Sequence, residues 1–510
     1  MRRTLPFFAA ALLPLCGAAA LCALALAAPA GAQSGSNVNG NLNRAAGPTP
    51  SGETQNTNSN SDSRERVAEA DESRRLRFPP LPTVRWADID AIPGTVGTSP
   101  LALRAKPDAR APVAEEVDVE EYPPVEVLET AGDFLRVRWE TGNSGEGRKP
   151  REVEGWAEWG AALPHTTALV IDARDGRVLR RVALGPGINA VAFSPDGERA
   201  LFHGRWAQNL YEAAASDLVP LRRLEGDSRG SFGPAAYTGT GHDLLITFWG
   251  MIEGAEVYNS SVHLARVDGG GVTVTPSWRS PAAVEPASLA FAPDGRTGFA
   301  FYPHPYANAY GGEEESPSEE DRGPVATVEV FDPATLMVVR RFKLPDAALG
   351  FDADSLALNA DGSELYLLDQ TGQRLVAVET QTGGLLYEVS LAGETTRLLS
   401  FAPGTTSGAG PLVRFWEASE EHHGTPLTLR LEGGRAVTEE GFAFTAEAGG
   451  TRYAVDDSGT RLFTLGADDG PRAKRETKLP DTGGHTPVGL FATPDGSRLI
   501  LILSFPEHGC

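Results

Sequence analysis

Short apolar runs alternate along this chain with turns that contain Asp and Gly. In the clearest copies, an apolar run leads through a small residue or Pro to Asp-Gly and then to a second apolar run. These copies cover residues 190–202, 288–301, 355–368 and 488–503. Asp and Gly adopt the backbone conformations that a tight hairpin turn requires. The pattern therefore predicts a series of strand–turn–strand hairpins.

Weaker copies extend the series. They surround three further turn glycines, Gly241, Gly404 and Gly459. Successive turn glycines are then separated by 37 to 67 residues, which gives seven units. Most units contain a second hairpin, clearest at residues 261–278, 326–344 and 374–391. Two hairpins per unit predict four-stranded blades arranged in a ring, which is the β-propeller architecture.

The two ends of the repeated region are complementary. Residues 167–184 form an additional predicted hairpin before the first motif, and the last motif, which ends at Leu503, has no hairpin after it. Joined, they complete one blade and remove exposed sheet edges. With its SPDG, APDG and TPDG turns, the region 164–510 resembles the seven-bladed YVTN and WD-like propellers. The alternative is a set of unrelated hairpins that share a common turn.

A second unit is predicted at residues 93–163. It has an opening Leu103-Arg104, an apolar run at 125–128, Phe134 with Val137, and a closing Gly155-Trp156. These positions resemble the bacterial SH3-like barrel, which implies a small β-barrel. The segment 141–154 is a long insertion relative to that pattern.

The aromatic residues of this unit have different predicted roles. We expect Trp156 in the core, whereas Tyr122 and Trp159 are the candidates for a groove that binds a peptide or a glycan stem. The all-β chain is thus predicted to contain a small SH3-like barrel and a seven-bladed propeller closed by its N-terminal hairpin.

The first 32 residues have the features of a signal peptide. Arg2 and Arg3 precede a long Leu- and Ala-rich run, and Ala30-Gly31-Ala32 favours cleavage before Gln33. A retained membrane anchor is the alternative because the apolar run is long. Residues 33–92 are predicted to be a disordered linker, since their polar composition cannot bury enough apolar surface. After cleavage Cys510 is the sole cysteine, which excludes an intrachain disulfide.

The net charge is −23. A surface this acidic repels nucleic acid and anionic lipid, so we expect neither as a partner. The same charge disfavours self-association, so we expect a monomer. Once the signal is cleaved, we expect no integral membrane span. The densest acidic segment, residues 313–321, lacks the ligand spacing of a calcium loop and is interpreted as a solvated insertion.

The sequence contains no compact motif for a nucleophile, a catalytic metal or a phosphate loop, so we predict no catalytic residue, metal site or cofactor. The Glu- and His-containing segment 420–423 could hold a metal, but neighbouring residues on a strand point to opposite faces, which favours an exposed loop. Three histidines follow turn motifs and either converge at the channel or serve in blade packing and turn hydrogen bonds, the interpretation that we favour. They are His203, His242 and His304.

These observations predict a periplasmic or secreted, non-enzymatic binding or scaffold protein of the cell envelope. Its expected partner is an envelope protein or a cell-wall polymer. The alternative is a YVTN-like propeller hydrolase or lactonase with its active site in the channel. Histidines and carboxylates clustered at the channel mouth would favour that alternative.

Overall fold

The computed structural model is described between Val84 and Phe505, with gaps. The described residues are 84–117, 124–141, 151–204, 207–226, 230–238, 241–251, 258–268, 271–278, 288–292, 295–302, 327–335, 337–344, 356–359, 361–369, 374–390, 396–402, 412–417, 426–432, 435–439, 442–465, 473–481 and 483–505. Within these ranges every regular element is a β-strand. They include no helix long and apolar enough to cross a bilayer. The predicted all-β class is confirmed for this part of the chain.

The first strand is β1, Val84–Ala87. The next seven strands form one antiparallel sheet, called here the N-terminal sheet, in the order β4-β3-β7-β6-β5-β2-β8. Their bounds are β2 (Ile92–Val96), β3 (Leu101–Arg104), β4 (Val113–Val117), β5 (Pro124–Ala131), β6 (Phe134–Thr141), β7 (Arg151–Glu158) and β8 (Ala162–Pro164).

Alternation along these strands separates a core face from an outer face. Leu135 and Val137 of β6 are fully buried, as is Ala157 of β7, and Leu135 and Ala157 are cross-strand partners. Successive strand residues point to opposite faces. Trp156 therefore faces away from the side that carries Ala157, and it is half-buried there. The prediction that Trp156 lies in the core is wrong, because its place in the alternation puts it on the outer face.

The remaining twenty-eight strands form seven further sheets. Their bounds are β9 (Thr166–Asp172), β10 (Val178–Leu184), β11 (Ala190–Phe193), β12 (Arg199–His203), β13 (Asn209–Ala214), β14 (Pro220–Gly226), β15 (Gly230–Tyr237), β16 (Leu244–Met251), β17 (Tyr258–Asp268), β18 (Gly271–Trp278), β19 (Ser288–Phe291), β20 (Gly298–Tyr302), β21 (Thr327–Phe331), β22 (Val338–Lys343), β23 (Leu356–Leu358), β24 (Glu364–Asp369), β25 (Arg374–Glu379), β26 (Leu385–Ser390), β27 (Thr396–Ala402), β28 (Leu412–Glu417), β29 (Pro426–Glu432), β30 (Arg435–Glu439), β31 (Phe444–Ala448), β32 (Thr451–Val455), β33 (Arg461–Leu465), β34 (Ala473–Lys478), β35 (Thr486–Ala492) and β36 (Arg498–Ser504).

Six of these sheets are built from four consecutive strands: β11–β14, β15–β18, β19–β22, β23–β26, β27–β30 and β31–β34. The first strands of successive sheets pack against one another in the pairs β11–β15, β15–β19, β19–β23 and β23–β27. Side-by-side packing of four-stranded sheets through their first strands is the propeller arrangement. The predicted propeller is confirmed at this level.

The remaining sheet, called here the closing sheet, combines both ends of the repeated region in the order β10-β9-β36-β35. Leu501 of β36 pairs with Leu169 of β9, and both side chains are buried. The first strand of this sheet, β35, packs against β31 on one side and β11 on the other. The predicted pairing of the N-terminal hairpin with the last motif is therefore present.

One strand lies inside the segment predicted to be a linker. Strand β1 pairs with β14 as a fifth strand of the β11–β14 sheet, with Trp86 opposite Leu224. The N-terminal sheet then begins at Ile92. The predicted linker, residues 33–92, is thus corrected from Val84 onward. A four-residue strand whose partner lies about 140 residues away has no local signature in the sequence.

The N-terminal sheet and the propeller share a core. Val96 and Leu103 belong to the same buried apolar cluster as Leu184 and Leu210 of the propeller. The described residues, from Val84 onward, all lie in one compact unit. The N-terminal sheet is therefore anchored to the propeller by packing. It is also connected through β1, which pairs with β14, and through β8, which leads directly into β9.

Candidate functional site

The hairpin turns of the propeller lie at a common edge. In a four-stranded antiparallel sheet, the turns between strands one and two and between strands three and four lie at the same end of the strands. We call this edge the turn rim. Neighbouring turns are close there: a Cβ at Gly496 would lie 2.6 Å from the amide nitrogen of Gly449 in the adjacent β31–β34 sheet.

Side chains fix the turns of the rim in a repeated way. The amides of Arg199 and Arg498 donate to the hydroxyls of Ser194 and Thr493 at 2.9 and 3.1 Å, respectively. In each turn an Asp two residues after the hydroxyl residue accepts a further amide. Such side-chain-to-backbone bonds hold a turn in one conformation. The rim turns at Gly197 and Gly496 are therefore each held in one conformation.

One predicted turn lies elsewhere. The turn that contains Gly459 joins β32 to β33, the second and third strands of their sheet, and so lies at the edge opposite the turn rim. The rim turn of this sheet is Gly449-Gly450. Asp456 accepts a hydrogen bond from the amide of Arg461 at 3.0 Å. The rim turns contain the same kind of bond, from a backbone amide to a side-chain oxygen five residues earlier. The sequence likeness of Gly459 thus reflects turn chemistry, and its placement in the predicted series is corrected.

Two neighbouring rim turns bring a histidine and two carboxylates together. His242 Nε2 lies 2.7 Å from Asp196 Oδ2, and one ligand atom from each of Asp196, Glu198 and His242 lies within 4.8 Å of the others. Hydrogen bonds from the Ser194 hydroxyl, then from the Glu198 amide, lower the pKa of Asp196. One imidazole and two carboxylates form a donor set that suits a divalent transition metal. These three residues are thus a candidate metal site, which the sequence analysis did not predict.

His203 does not join this group. It pairs with Ala190 at the start of β11, whereas the Gly197 turn follows the end of β11, so His203 and His242 lie at opposite edges. Burial lowers the pKa of His203 to about 4. His203 is half-buried and lies away from the turn rim, which fits the packing role that the sequence favoured, whereas His242 makes a bond between turns. The third histidine, His304, lies outside the described residues.

A cavity of about 360 Å³ opens between the β31–β34 sheet and the closing sheet. Its lining combines three rim turns with strand residues: Ala173, Arg174, Ala448, Gly449, Thr451, Tyr453, Thr464, Arg475 and Gly496. The hydroxyl of the buried Tyr453 donates to the carbonyl of Ala173 at 2.6 Å. Arg475 Nη1 donates to the carbonyl of Arg174 at 3.1 Å. Two lining residues thus hold the β9–β10 turn.

The charged groups of this lining are two guanidiniums, in a chain of net charge −23. Arg174 contacts the carboxylate of the buried Asp172 at 3.0 Å, and this guanidinium lowers the pKa of Asp172 to about 2. The described contact of Arg475 is to a neutral carbonyl. The described lining therefore retains a net positive charge, which favours an anionic ligand.

The predicted groove residues of the N-terminal sheet are placed only in part. Trp159 is half-buried against the shared core, and the guanidinium carbon of Arg181 lies 5.6 Å from its ring centroid. Its ring thus contributes to the junction with β10, and a groove role for it stays a prediction. Several other predicted features lie outside the described residues: Tyr122, the segments 1–32, 313–321 and 420–423, and Cys510.

The sequence did not indicate Arg174, Tyr453 or Arg475. Arg475 and the Arg174 carbonyl are 301 positions apart, and each of these residues stands in an ordinary strand or turn context. Only the pairing of β9 with β36, the pairing that closes the sheet, brings them to one place. One indirect indication of this site was present in the sequence, the predicted closure, which implies that the two ends of the repeated region share a surface.

No protein-family model matches the sequence, and no curated protein matches it either. Among solved structures, dihydro-heme d1 dehydrogenase NirN is similar with 13% identity and a TM-score of 0.42, over 66% of this chain and 68% of that one. A putative TolB from Agrobacterium tumefaciens has 14% identity and a TM-score of 0.36, over 67% and 99%. A streptogramin B lyase has 12% identity and a TM-score of 0.37, over 66% and 98%. The propeller assignment rests on the strand pairing described above.

Proposed function

We propose that this chain is an exported, non-enzymatic binding protein of the cell envelope. Its turn rim is the binding surface, and its partner is an envelope protein or a cell-wall polymer. The proposal includes a periplasmic or secreted location after cleavage before Gln33 and a monomeric state. The acidic net charge of −23 argues against nucleic acid as the partner.

The architecture that we propose is a ring of seven blades preceded by an SH3-like module. Seven sheets support the ring, and their first strands pack in six successive pairs, from β31 through β35, β11, β15, β19 and β23 to β27. The antiparallel N-terminal sheet, with its buried Leu103 and Phe134, supports the SH3-like module. Two binding modules held on one core raise the effective concentration of the second contact once the first has formed.

The observation that carries the binding role is the cavity between the β31–β34 sheet and the closing sheet. Guanidinium and hydroxyl groups line it, and these groups bind a ligand through hydrogen bonds and charge without providing a nucleophile–base pair. Side-chain hydrogen bonds fix two of its turns, at Arg174 and at Gly496, so little conformational entropy of these turns is lost when a ligand binds.

A second candidate function is a propeller hydrolase or lactonase. The group of Asp196, Glu198 and His242 favours it, because a metal held by these ligands could activate a water molecule. The group lies at turns that follow first strands, close to where a propeller has its channel. The exposure of Asp196 and Glu198 argues for the binding role instead, since hydrolytic sites exclude bulk water.

Binding and turnover can be measured on the same purified protein, residues 33–510. We expect saturable co-sedimentation with isolated cell-wall sacculi or stoichiometric capture of one envelope protein, and no turnover of a lactone and ester panel with or without Zn²⁺. Turnover that is lost in His242→Gln while the circular dichroism spectrum is retained would establish the hydrolase. Absence of both binding and turnover would contradict both candidates.

A further inference from the structure

We propose that the cavity between the β31–β34 sheet and the closing sheet binds a small oxyanion group, a carboxylate or a phosphate, and that its occupancy stabilises the closed ring. This inference rests on the proposed binding function and specifies the chemistry of its site. The residues that recognise the anion are Arg174 and Arg475, with the hydroxyls of Thr451 and Thr464 as additional partners.

The charge of the site favours an anion. A guanidinium presents a planar array of N–H donors that matches two oxygens of a carboxylate or phosphate. Arg475 uses Nη1 for the Arg174 carbonyl, and Arg174 uses Nε and Nη2 for Asp172. Because each guanidinium has five N–H donors, these bonds leave further donors for a ligand. Both arginines are exposed, so an anion can reach them from solvent.

The size of the site suits one carboxylate or phosphate group together with the first atoms of the molecule that carries it. About 360 Å³ lies near the lower end of the range for small-molecule pockets. The buried Tyr453 and the close approach of Gly449 and Gly496 bound the space, and a side chain at Gly496 would clash with the Gly449 backbone. The cavity therefore accommodates the end of an acidic chain or a free anion.

Binding is linked to ring closure because the lining comes from three parts of the chain. Ala173 and Arg174 belong to the N-terminal hairpin, Gly496 to the last motif, and the remaining lining residues to the β31–β34 sheet. The Ala173 amide also donates to the Ser497 carbonyl at 3.0 Å. An anion held by Arg174 and Arg475 together adds a further connection between these parts. A ligand that binds only the closed form stabilises that form.

Thermal unfolding of residues 33–510 with inorganic phosphate or succinate tests the proposal, with equal ionic strength from NaCl as reference. We expect at least one anion to raise the Tm in a saturable way, and isothermal titration to give one site. Arg475→Gln and Arg174→Gln should each weaken that binding by about tenfold or more, since a charge-assisted bond is lost. The phosphate and succinate arms distinguish the two sources of the oxyanion.

Arg180→Gln is the matched control, because Arg180 is an exposed arginine on β10 that does not line the cavity. It removes the same charge and should leave the binding unchanged. Arg475→Lys keeps the charge and serves if Arg475→Gln folds poorly; its affinity should lie between those of the wild type and Arg475→Gln. Equal weakening by Arg180→Gln and Arg475→Gln, or no response of the wild type to either anion, would overturn the proposal.

The same variants separate this inference from the proposed function. If Arg475→Gln loses anion binding but keeps its sacculus or envelope-protein binding, the partner is bound elsewhere on the chain. The inference that the cavity is the site of envelope binding is then wrong. If the wild type binds the anion but no envelope component, the cavity is an anion site and the proposed envelope role is wrong.

Discussion

The guanidinium carbon of Arg222 lies 4.2 Å from the ring centroid of Trp86, which belongs to the strand that precedes the N-terminal sheet. The same guanidinium binds the fully buried carboxylate of Glu212, with Nη2 at 2.6 Å from Oε2. Trp86 therefore covers an ion pair at the outer edge of the β11–β14 sheet. Strand β1 joins the sheet by backbone pairing and also shields this charge pair from solvent.

Removing Arg222 should destabilise the fold strongly. Arg222→Leu leaves the carboxylate of Glu212 buried without its cation, and loss of one partner of a buried pair costs about 3–5 kcal/mol. Arg85→Leu is the control, since Arg85 is 75% exposed and its pair with Glu225 is worth less than about 1 kcal/mol. Urea unfolding measures both. Similar losses for the two variants would contradict the role assigned to Arg222.

Gly496 should tolerate a side chain less well than Gly450 does. Both have a positive φ, +65° and +73°, so Ala at either site carries a cost of roughly 1–2 kcal/mol for the left-handed conformation. A Cβ at Gly450 meets nothing within 4 Å, whereas one at Gly496 lies 2.6 Å from the Gly449 nitrogen. Gly496→Ala should therefore lower the free energy of unfolding by about 1 kcal/mol or more beyond Gly450→Ala. Equal losses would show that the two turns do not touch.

His203 should make the fold sensitive to mild acid. Burial lowers its pKa to about 4 in the folded state, against about 6.5 in an unfolded chain. The unfolded state therefore binds more protons between these values, and the free energy of unfolding should fall as the pH drops from 6.5 towards 4. His203→Gln should flatten the curve in this window, as measured by urea unfolding at successive pH values. Parallel curves for the two proteins would exclude the effect.

Leu218 occupies a turn position that requires a left-handed backbone. Its φ is +59°, its side chain is fully buried, and Gly176 and Gly383 take the corresponding place in two other turns that join the third and fourth strands of a sheet. Leu218→Ala should lose about 2–5 kcal/mol because it leaves a cavity and retains the strain. Leu218→Gly loses the same packing but relieves about 1–2 kcal/mol of strain, so it should be at least as stable as the Ala variant. A clearly less stable Gly variant, by thermal unfolding, would contradict this order.

Hairpins and their closure were predictable because their signals are local. Asp-Gly turns between apolar runs specify which strands are neighbours, and an unmatched hairpin at each end implies the pairing of β9 with β36. The same local signal misled at Gly459, since a turn between the second and third strands uses the same side-chain bonds as the rim turns. Turn chemistry identifies a hairpin, but it does not give the position of that hairpin within a blade.

The sequence by itself determined the all-β class, the repeated hairpins and the identity of the segment that closes the propeller, because periodic apolar residues and turn glycines act over a few positions. Only the tertiary structure decided that β1 leaves the predicted linker to cover Arg222, that Trp156 faces outward, and that His242 lies beside Asp196. It also decided that Arg174 and Arg475 line one cavity. These relationships join residues distant in sequence, and their energy comes from burial and charge pairing that exist only once the sheets are packed.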